Sequence, residues 1–144
     1  MFVKQVSIFL ENQPGRIYDV IKLLGKNNID IKALSIADTD QFGIARLILN
    51  KPNTAVNILK ENNFIVKIND VIAITVSNEP GGLIDALSLL YDNNIGIEYM
   101  YAFVGDSDIN ASVILKVDKM EDAFKLFDKN GIKLLSSSLV HEKD

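Results

Sequence analysis

The sequence has no cysteine and a single histidine, His141. Disulfides, thiolate nucleophiles and cysteine-ligated metals are therefore excluded, and a reducing compartment is allowed. A serine-type catalytic triad has no obvious base either, because His141 lies in the polar segment His-Glu-Lys-Asp. No spacing of ligand residues could close a metal coordination shell, so we expect no metal and no cofactor. These absences favour a protein that is not an enzyme.

Basic residues are fewer than acidic residues, and the apolar stretches are short. Lys and Arg number 15 against 19 Asp and Glu, giving a net charge of −4, and the basic residues are scattered. Nucleic-acid binders usually carry a basic stripe, so we expect no nucleic acid as a partner. The longest strongly apolar stretch, Val71–Val76, is far shorter than the roughly 20 residues that span a bilayer. With no signal peptide visible, we expect a cytoplasmic protein with no membrane partner.

The sequence does contain an internal repeat. A shift of 66 residues aligns Pro14-Gly15 with Pro80-Gly81, Leu23-Leu24 with Leu89-Leu90, and Asn27-Asn28-Ile29 with Asn93-Asn94-Ile95. Further along the chain the shift becomes 68, which aligns Ala55 with Ala123 and Asn62 with Asn130. Colinear matches of this kind indicate a duplicated structural unit. We therefore predict two domains, residues 1–69 and 70–144.

Both copies have the same order of predicted elements. Alternating apolar residues predict a first strand, and the i, i+3, i+4, i+7 spacing after it predicts a helix with Pro14 or Pro80 in its first turn. Two strands follow, at residues 30–37 and 43–49 in one copy and 96–104 and 110–117 in the other, joined by turns at 38–41 and 105–108. A helix and a last strand complete each copy. The predicted fold class is α+β, with two tandem ferredoxin-like βαββαβ units, each a four-stranded antiparallel sheet with its helices on one face.

The second strand of the second copy is rich in aromatic residues. Tyr99, Tyr101 and Phe103 alternate along it and share one face, whereas Glu98 and Met100 share the other. In this fold the second strand lies at a sheet edge, where a bare apolar strand invites pairing. We therefore expect the second strands of the two copies to pair and join the sheets side by side. Core packing explains the aromatic residues at least as well as a ligand pocket does.

The loop after the first strand has the pattern Asn-x-Pro-Gly in both copies, at residues 12–15 and 78–81. It opens a helix, whose free N–H groups and positive dipole end suit a carboxylate. The glycine lets a ligand approach the backbone, and the asparagine amide can both donate and accept hydrogen bonds. A helix cap alone would explain the same residues in a single copy. The loop is thus a candidate site for a zwitterionic amino acid.

Asn-x-Pro-Gly-x-hydrophobic at this place in a βαββαβ unit resembles the ACT domain, a small-molecule sensor attached to many amino-acid biosynthetic enzymes. Two such units resemble the stand-alone tandem ACT proteins of the acetolactate-synthase-like regulatory type. The resemblance implies a regulatory protein that binds an amino acid between the loop of one unit and the second strand of another. It implies the ligand-binding residues Asn12, Gln13, Pro14, Gly15, Arg16, Ile17, Leu34, Ser35, Asn78, Glu79, Pro80, Gly81, Gly82, Leu83, Tyr99, Met100 and Tyr101. The copies differ where Arg16, a possible carboxylate partner, is matched by Gly82.

The expected ligand is an apolar or aromatic free amino acid, because Leu34, Met100 and Tyr101 present a mostly apolar surface. We also expect a homodimer. One alternative is a regulatory subunit that docks on an amino-acid biosynthetic enzyme. A second is an acylphosphatase-like hydrolase, since that family has the same element order and an arginine in the loop where Arg16 lies. The second copy has Gly82 instead and the glycine-rich phosphate cradle is missing, which disfavours this alternative.

Overall fold

Strands and helices follow one another in the predicted order, with one short helix added at the end. The structure is a computed structural model that describes residues 2–11, 13–38, 42–104 and 110–144. The elements are β1 (Val3–Glu11), α1 (Arg16–Lys26), β2 (Ile31–Asp38), β3 (Phe42–Leu49), α2 (Pro52–Glu61), β4 (Ile65–Ser77), α3 (Ile84–Asp92), β5 (Ile97–Ala102), β6 (Asn110–Val117), α4 (Met120–Lys129), β7 (Lys133–Leu134) and α5 (Ser137–Val140). The predicted α+β class with two tandem βαββαβ-like units is confirmed.

The chain forms two compact units that differ from a simple cut of the sequence. The first unit contains Lys4–Asn69 together with Ser137–Asp144, and the second contains Met1–Val3 together with Asp70–Ser136. Both short terminal segments therefore belong to the unit formed by the other copy of the repeat.

In the first unit β3 lies between β2 and β1 and is antiparallel to both, with Ala45 opposite Ile36 on one side and Ile8 on the other. The strand order is β2-β3-β1-β4. Alternate residues of the strands face α1 and α2, because the period of a strand places every second side chain on one face. The buried core consists of Val6, Ile8, Leu10, Val20, Leu24, Ile29, Ala45, Leu47, Leu49, Ala55, Val56, Leu59 and Phe64.

The second unit repeats this arrangement. β4 pairs with β6 and with β7, and β5 pairs with β6, all antiparallel. Its last strand is only two residues long, Lys133–Leu134. The buried core consists of Ile72, Ile74, Ala86, Leu90, Ile95, Val113, Leu115, Val117, Ala123 and Phe127.

The predicted pairing between the two second strands is wrong for the residues that the structure describes. β2 pairs with β3 and β5 pairs with β6, and neither second strand is a hydrogen-bonded neighbour of the other. The reason lies in β4, which runs unbroken through Asn69 and Asp70. The last strand of one copy thus continues directly as the first strand of the next, and the second strands are left as end strands.

The predicted position of the prolines is also wrong. α1 begins at Arg16, two residues after Pro14, and α3 begins at Ile84, four residues after Pro80. Between each proline and its helix lies a glycine with positive φ, 87° at Gly15 and 82° at Gly81. A left-handed residue cannot belong to a right-handed helix, so the proline stays outside it. The predicted turns at 38–41 and 105–108 fall largely outside the described residues.

Candidate functional site

The first copy of the Asn-x-Pro-Gly loop borders a cavity of 250 Å³ in the first unit. Five predicted site residues line it together: Gln13, Pro14, Gly15, Arg16 and Ile17. The other lining residues are Leu10, Glu11, Ile36 and Gly43, from the ends of the three neighbouring strands. Asn12, a further predicted residue, lies outside the described part of the chain.

The second copy of the loop borders a larger cavity of 380 Å³ in the second unit. The predicted residues that line it are Asn78, Glu79, Gly81, Gly82 and Leu83, whereas Pro80 does not. Most of the remaining lining is apolar: Val76, Ile84, Leu87, Ala102, Ala111 and Val113, with Ser77 as the polar exception. The repeated loop is thus concave in both copies, but its surroundings differ in polarity.

The predicted strand residues do not line these two cavities. On β2 the cavity reaches Ile36 rather than Leu34 or Ser35, and on β5 it reaches Ala102 rather than the residues from Tyr99 to Tyr101. Tyr99 and Tyr101 stack on each other with ring centroids 6.4 Å apart, and Met100 packs on the core of the second unit. Period-2 alternation places Leu34 and Ile36 on one face, so counting along the strand toward the loop could have identified Ile36.

The backbone at both loops leaves some hydrogen-bond donors available. The N–H of Arg16 donates to Gln13 and that of Ile84 to Gly81, but the next N–H groups have no acceptor within the helix. No described side chain caps the start of α1 or α3. Gly15 and Gly81 adopt the left-handed conformation that turns the chain into the helix. The positive end of the helix dipole therefore faces each loop, an arrangement that favours a carboxylate.

Arg16 and Gly82 give the two loops different geometries. A Cβ at Gly82 would lie 2.0 Å from the carbonyl oxygen of Ser77, so this position accepts only glycine. Arg16, its counterpart, is the first residue of α1. Its guanidinium lies 4.4 Å from the centre of the Phe64 ring, which is cation–π contact, and 4.0 Å from the Asp19 carboxylate. Arg16 therefore contacts the helical side of the unit besides lining the loop cavity.

His141 is not the free polar residue that the sequence suggested. Its ring Nδ1 lies 2.6 Å from the carbonyl oxygen of Leu49, and the backbone N–H of Lys4 donates to Nε2 at 3.0 Å. This pattern requires the neutral ring, protonated at Nδ1. Burial lowers the pKa of His141 below 6.5, although the Leu49 hydrogen bond and the Asp144 charge oppose the shift. Sequence reasoning missed this contact because it joins residues 92 positions apart.

Asp144 supplies a cap that α2 lacks locally. Lys51, the N-cap residue, makes no capping hydrogen bond, and the Asp144 carboxylate instead accepts from the N–H groups of Asn53 and Thr54, at 2.5 and 3.0 Å. The Thr54 hydroxyl also donates to it. Desolvation opposes ionisation of Asp144, but these hydrogen bonds and the charge of Lys51 outweigh it and lower its pKa below 3.8.

Two further features concern metals and membranes. Within the described ranges, no group of three or more His, Cys, Asp or Glu side chains is placed to hold a metal ion. None of the described helices is long and apolar enough to cross a bilayer.

Comparison with known proteins identifies the family of the chain. A model of the ACT domain pair matches residues 1–142. Protein BT0572 from Bacteroides thetaiotaomicron is similar in structure at 38% identity and TM-score 0.91, over 97% of this chain and 96% of that one. The regulatory subunit of aspartate kinase from Thermus thermophilus is similar at 14% identity and TM-score 0.61, over 88% and 90%. The corresponding subunit from Thermus flavus gives 14% and 0.60, over 90% and 92%.

No curated protein sequence matches the chain. The two aspartate kinase subunits share the fold at low identity, and the family model covers nearly the whole sequence. The chain therefore belongs to the ACT domain pair family.

Proposed function

We propose that this protein binds a free amino acid at its Asn-x-Pro-Gly loops and acts as a regulatory sensor without catalysing a reaction. One observation carries the proposal: the same loop borders a cavity in both copies, beside an uncapped helix start. The ligand carboxylate binds the free N–H groups of the helix start. The asparagine amide, Asn12 or Asn78, contacts the charged ends of the ligand.

The ligand side chain is apolar. In the second unit the cavity beyond the loop is bordered by Leu83, Leu87 and Val113, which offer no partner for a charged or strongly polar group. Small-ligand pockets commonly measure about 300–1,000 Å³, a range that includes the 380 Å³ cavity and lies above the 250 Å³ one. The second loop is therefore the stronger site.

The sensor acts through a partner enzyme of amino-acid biosynthesis. Two of the structures with this fold are regulatory subunits of aspartate kinase, which supports a role as a subunit that transmits ligand occupancy. A homodimer in the cytoplasm is the expected form of the protein. Pull-down from native lysate, with and without the ligand, tests whether an enzyme is bound and whether occupancy changes the binding.

The proposal is tested by a thermal-shift screen of the twenty amino acids, because a ligand that binds only the folded state raises the melting temperature. Calorimetry then compares Asn78→Ala with wild type, and Asn57→Ala on the exposed side of α2 serves as the matched control. Loss of an amide that bonds a charged group lowers affinity about ten- to a hundredfold. If no amino acid shifts the melting temperature, the proposed ligand class is wrong.

The absence of catalysis has its own test. Arg16, the residue that an acylphosphatase-like mechanism would use, packs over Phe64 and beside Asp19. We therefore expect no turnover of an acyl phosphate above the uncatalysed rate. Turnover by wild type that disappears in Arg16→Ala would show that the protein is an enzyme.

A further inference from the structure

A groove that shares only Arg16 with the loop cavity of its unit runs along the helical side of the first unit. It has a volume of 290 Å³, and its lining comes from one stripe of α1 and from the residues that follow α2. The lining residues are Arg16, Asp19, Lys22, Leu23, Lys26, Asn62 and Phe64.

The charge of this groove is strongly one-sided. Three cationic side chains, Arg16, Lys22 and Lys26, face a single carboxylate, Asp19. Arg16 is the cation nearest to Asp19, at 4.0 Å, and Lys22 lies 5.9 Å from the ring centre of Tyr18. The groove therefore has a surplus of two positive charges in a protein whose net charge is −4.

The Arg16 side chain is held by packing, but one of its hydrogen-bond donors has no acceptor among the described residues. Its guanidinium packs over the Phe64 ring at 4.4 Å. Its Nε is buried and has no hydrogen-bond partner among the described residues. The Arg16 side chain is nevertheless 28% exposed, so the other N–H groups of its guanidinium can donate to an anion at this end of the groove.

Comparison of the two copies shows that the fold does not require these cations. The groove residues that support the structure are kept: Asp19 is matched by Asp85, Leu23 by Leu89 and Asn62 by Asn130. Asn62 donates to the carbonyl of Ile58 and Asn130 to that of Leu126, both at 2.8 Å. The three cations are all replaced, with Gly82 for Arg16, Ser88 for Lys22 and Asp92 for Lys26. Positive charge is thus confined to one of two otherwise similar surfaces.

We propose that this groove is a binding site for a phosphate monoester, separate from the amino-acid sites and additional to the proposed function. A phosphate monoester carries a charge of about −2 above its second pKa near 6, which matches the surplus charge of the groove. Its oxygens accept charge-assisted hydrogen bonds from Lys22 and Lys26, which lie one turn apart on α1. A carboxylate has half that charge, so it binds more weakly.

The test uses the full chain, inorganic phosphate and glycerol 2-phosphate as probes at pH 7.5, with sodium chloride to match ionic strength. Binding is followed by 31P and 1H–15N NMR. The variant Lys22→Ser with Lys26→Asp introduces the residues of the second copy at exposed helix positions. Its matched control, Lys125→Ser with Lys129→Asp, changes the same residue types four positions apart on α4.

We expect amide shifts along α1 and at Asn62 and Phe64, and affinity reduced about tenfold or more in the α1 variant but unchanged in the α4 control. Stronger binding of the ester than of inorganic phosphate identifies a metabolite site, and the opposite order identifies a site for free phosphate. Equal loss in both variants, or shifts that sodium chloride alone reproduces, would overturn the proposal. Both variants retain the loop residues, so amino-acid binding tests the proposed function independently.

Discussion

The two units have the same ancestral plan, yet they differ at the two places where a ligand could bind. In the first unit the loop leads at once into α1, Arg16 lies at the junction, and the helical side is cationic. In the second unit Gly82 delays the helix until Ile84, and the loop opens on a wider, mostly apolar cavity. The position that is arginine in one copy and glycine in the other thus lies where the two units differ in the shape of the loop cavity and in charge.

The physical cause is the path of the backbone. At Gly82 the chain passes so close to Ser77 that a side chain has no room, and its N–H donates to the carbonyl of Glu79 at 2.9 Å. The corresponding N–H in the first copy, that of Arg16, donates to the carbonyl of Gln13 at 3.5 Å, and the N–H of Gln13 donates to the carbonyl of Glu11 at 2.7 Å. The two loops therefore share a turn at the glycine and differ in how closely the next residue approaches the end of the first strand.

The largest expected effect comes from placing a side chain at Gly82. Gly82→Ala brings a Cβ against the Ser77 carbonyl, and we expect the free energy of unfolding to fall by about 3 kcal/mol or more. Gly15→Ala is the comparison in the other copy, where φ is positive but no atom lies within 4 Å. Its expected loss is about 1–2 kcal/mol, the cost of a left-handed residue with a Cβ. Urea unfolding of both variants measures the difference.

A small effect of Gly82→Ala would contradict this account of the loops. It would mean that the second loop can take the path of the first, since that path accommodates a side chain at Arg16. The difference between the two cavities would then need another cause.

The next effect concerns the two ligand sites. Because the second cavity is larger and more apolar, we expect Asn78→Ala to weaken binding of an apolar amino acid about ten- to a hundredfold, and Asn12→Ala to weaken it less. Calorimetry on each variant measures affinity and stoichiometry. Equal effects of the two substitutions would show that the loops are equivalent sites despite their different surroundings.

A smaller effect is expected from the cap on α2, for which α4 has no counterpart among the described residues. Lys119, the N-cap residue of α4, makes no capping hydrogen bond, whereas Asp144 accepts from two N–H groups at the start of α2. Asp144→Ala should lower the free energy of unfolding by about 1 kcal/mol, and Lys143→Ala, an exposed neighbour, serves as the control. No change in the urea midpoint of Asp144→Ala would show that the cap contributes nothing to stability.

Much of this structure could be predicted from the sequence. The internal repeat predicts the order of the elements. Alternation along the strands predicts their bounds within a residue or two and the faces on which Tyr99 and Met100 lie. Both patterns depend on local sequence alone. The pairing of the second strands could not be predicted correctly, since it depends on whether the chain turns at Asn69 and Asp70 or continues straight. No local pattern distinguishes a strand that ends there from one that runs on to Ser77.

In the candidate site, too, the sequence predicts features that depend on neighbouring residues and misses contacts between residues far apart in the chain. The loop residues were found because they repeat, and they do gather at a cavity in each copy. Arg16 was assigned to the loop alone, because its contact with Phe64 joins positions 48 residues apart (64 − 16). The contacts of His141 and Asp144 join still more distant positions, and only the folded chain brings them together.

The smallest effect, also in the first unit, is a dependence of stability on pH through His141. Neutral His141 accepts from the N–H of Lys4 and donates to the carbonyl of Leu49, and a proton on Nε2 removes the first bond. The folded pKa lies below the ordinary value of 6.5, so below pH 6.5 the unfolded chain binds more protons. The contribution of His141 to the free energy of unfolding is therefore fully present above pH 6.5 and declines as the pH falls through the folded pKa.

We expect the urea midpoint of wild type to fall between pH 8 and 5, and that of His141→Gln to fall less. Amide exchange at Lys4 should become faster over the same pH range. His141 is the one histidine of the sequence, so an equal pH dependence in the variant would show that the hydrogen bonds of its ring do not contribute.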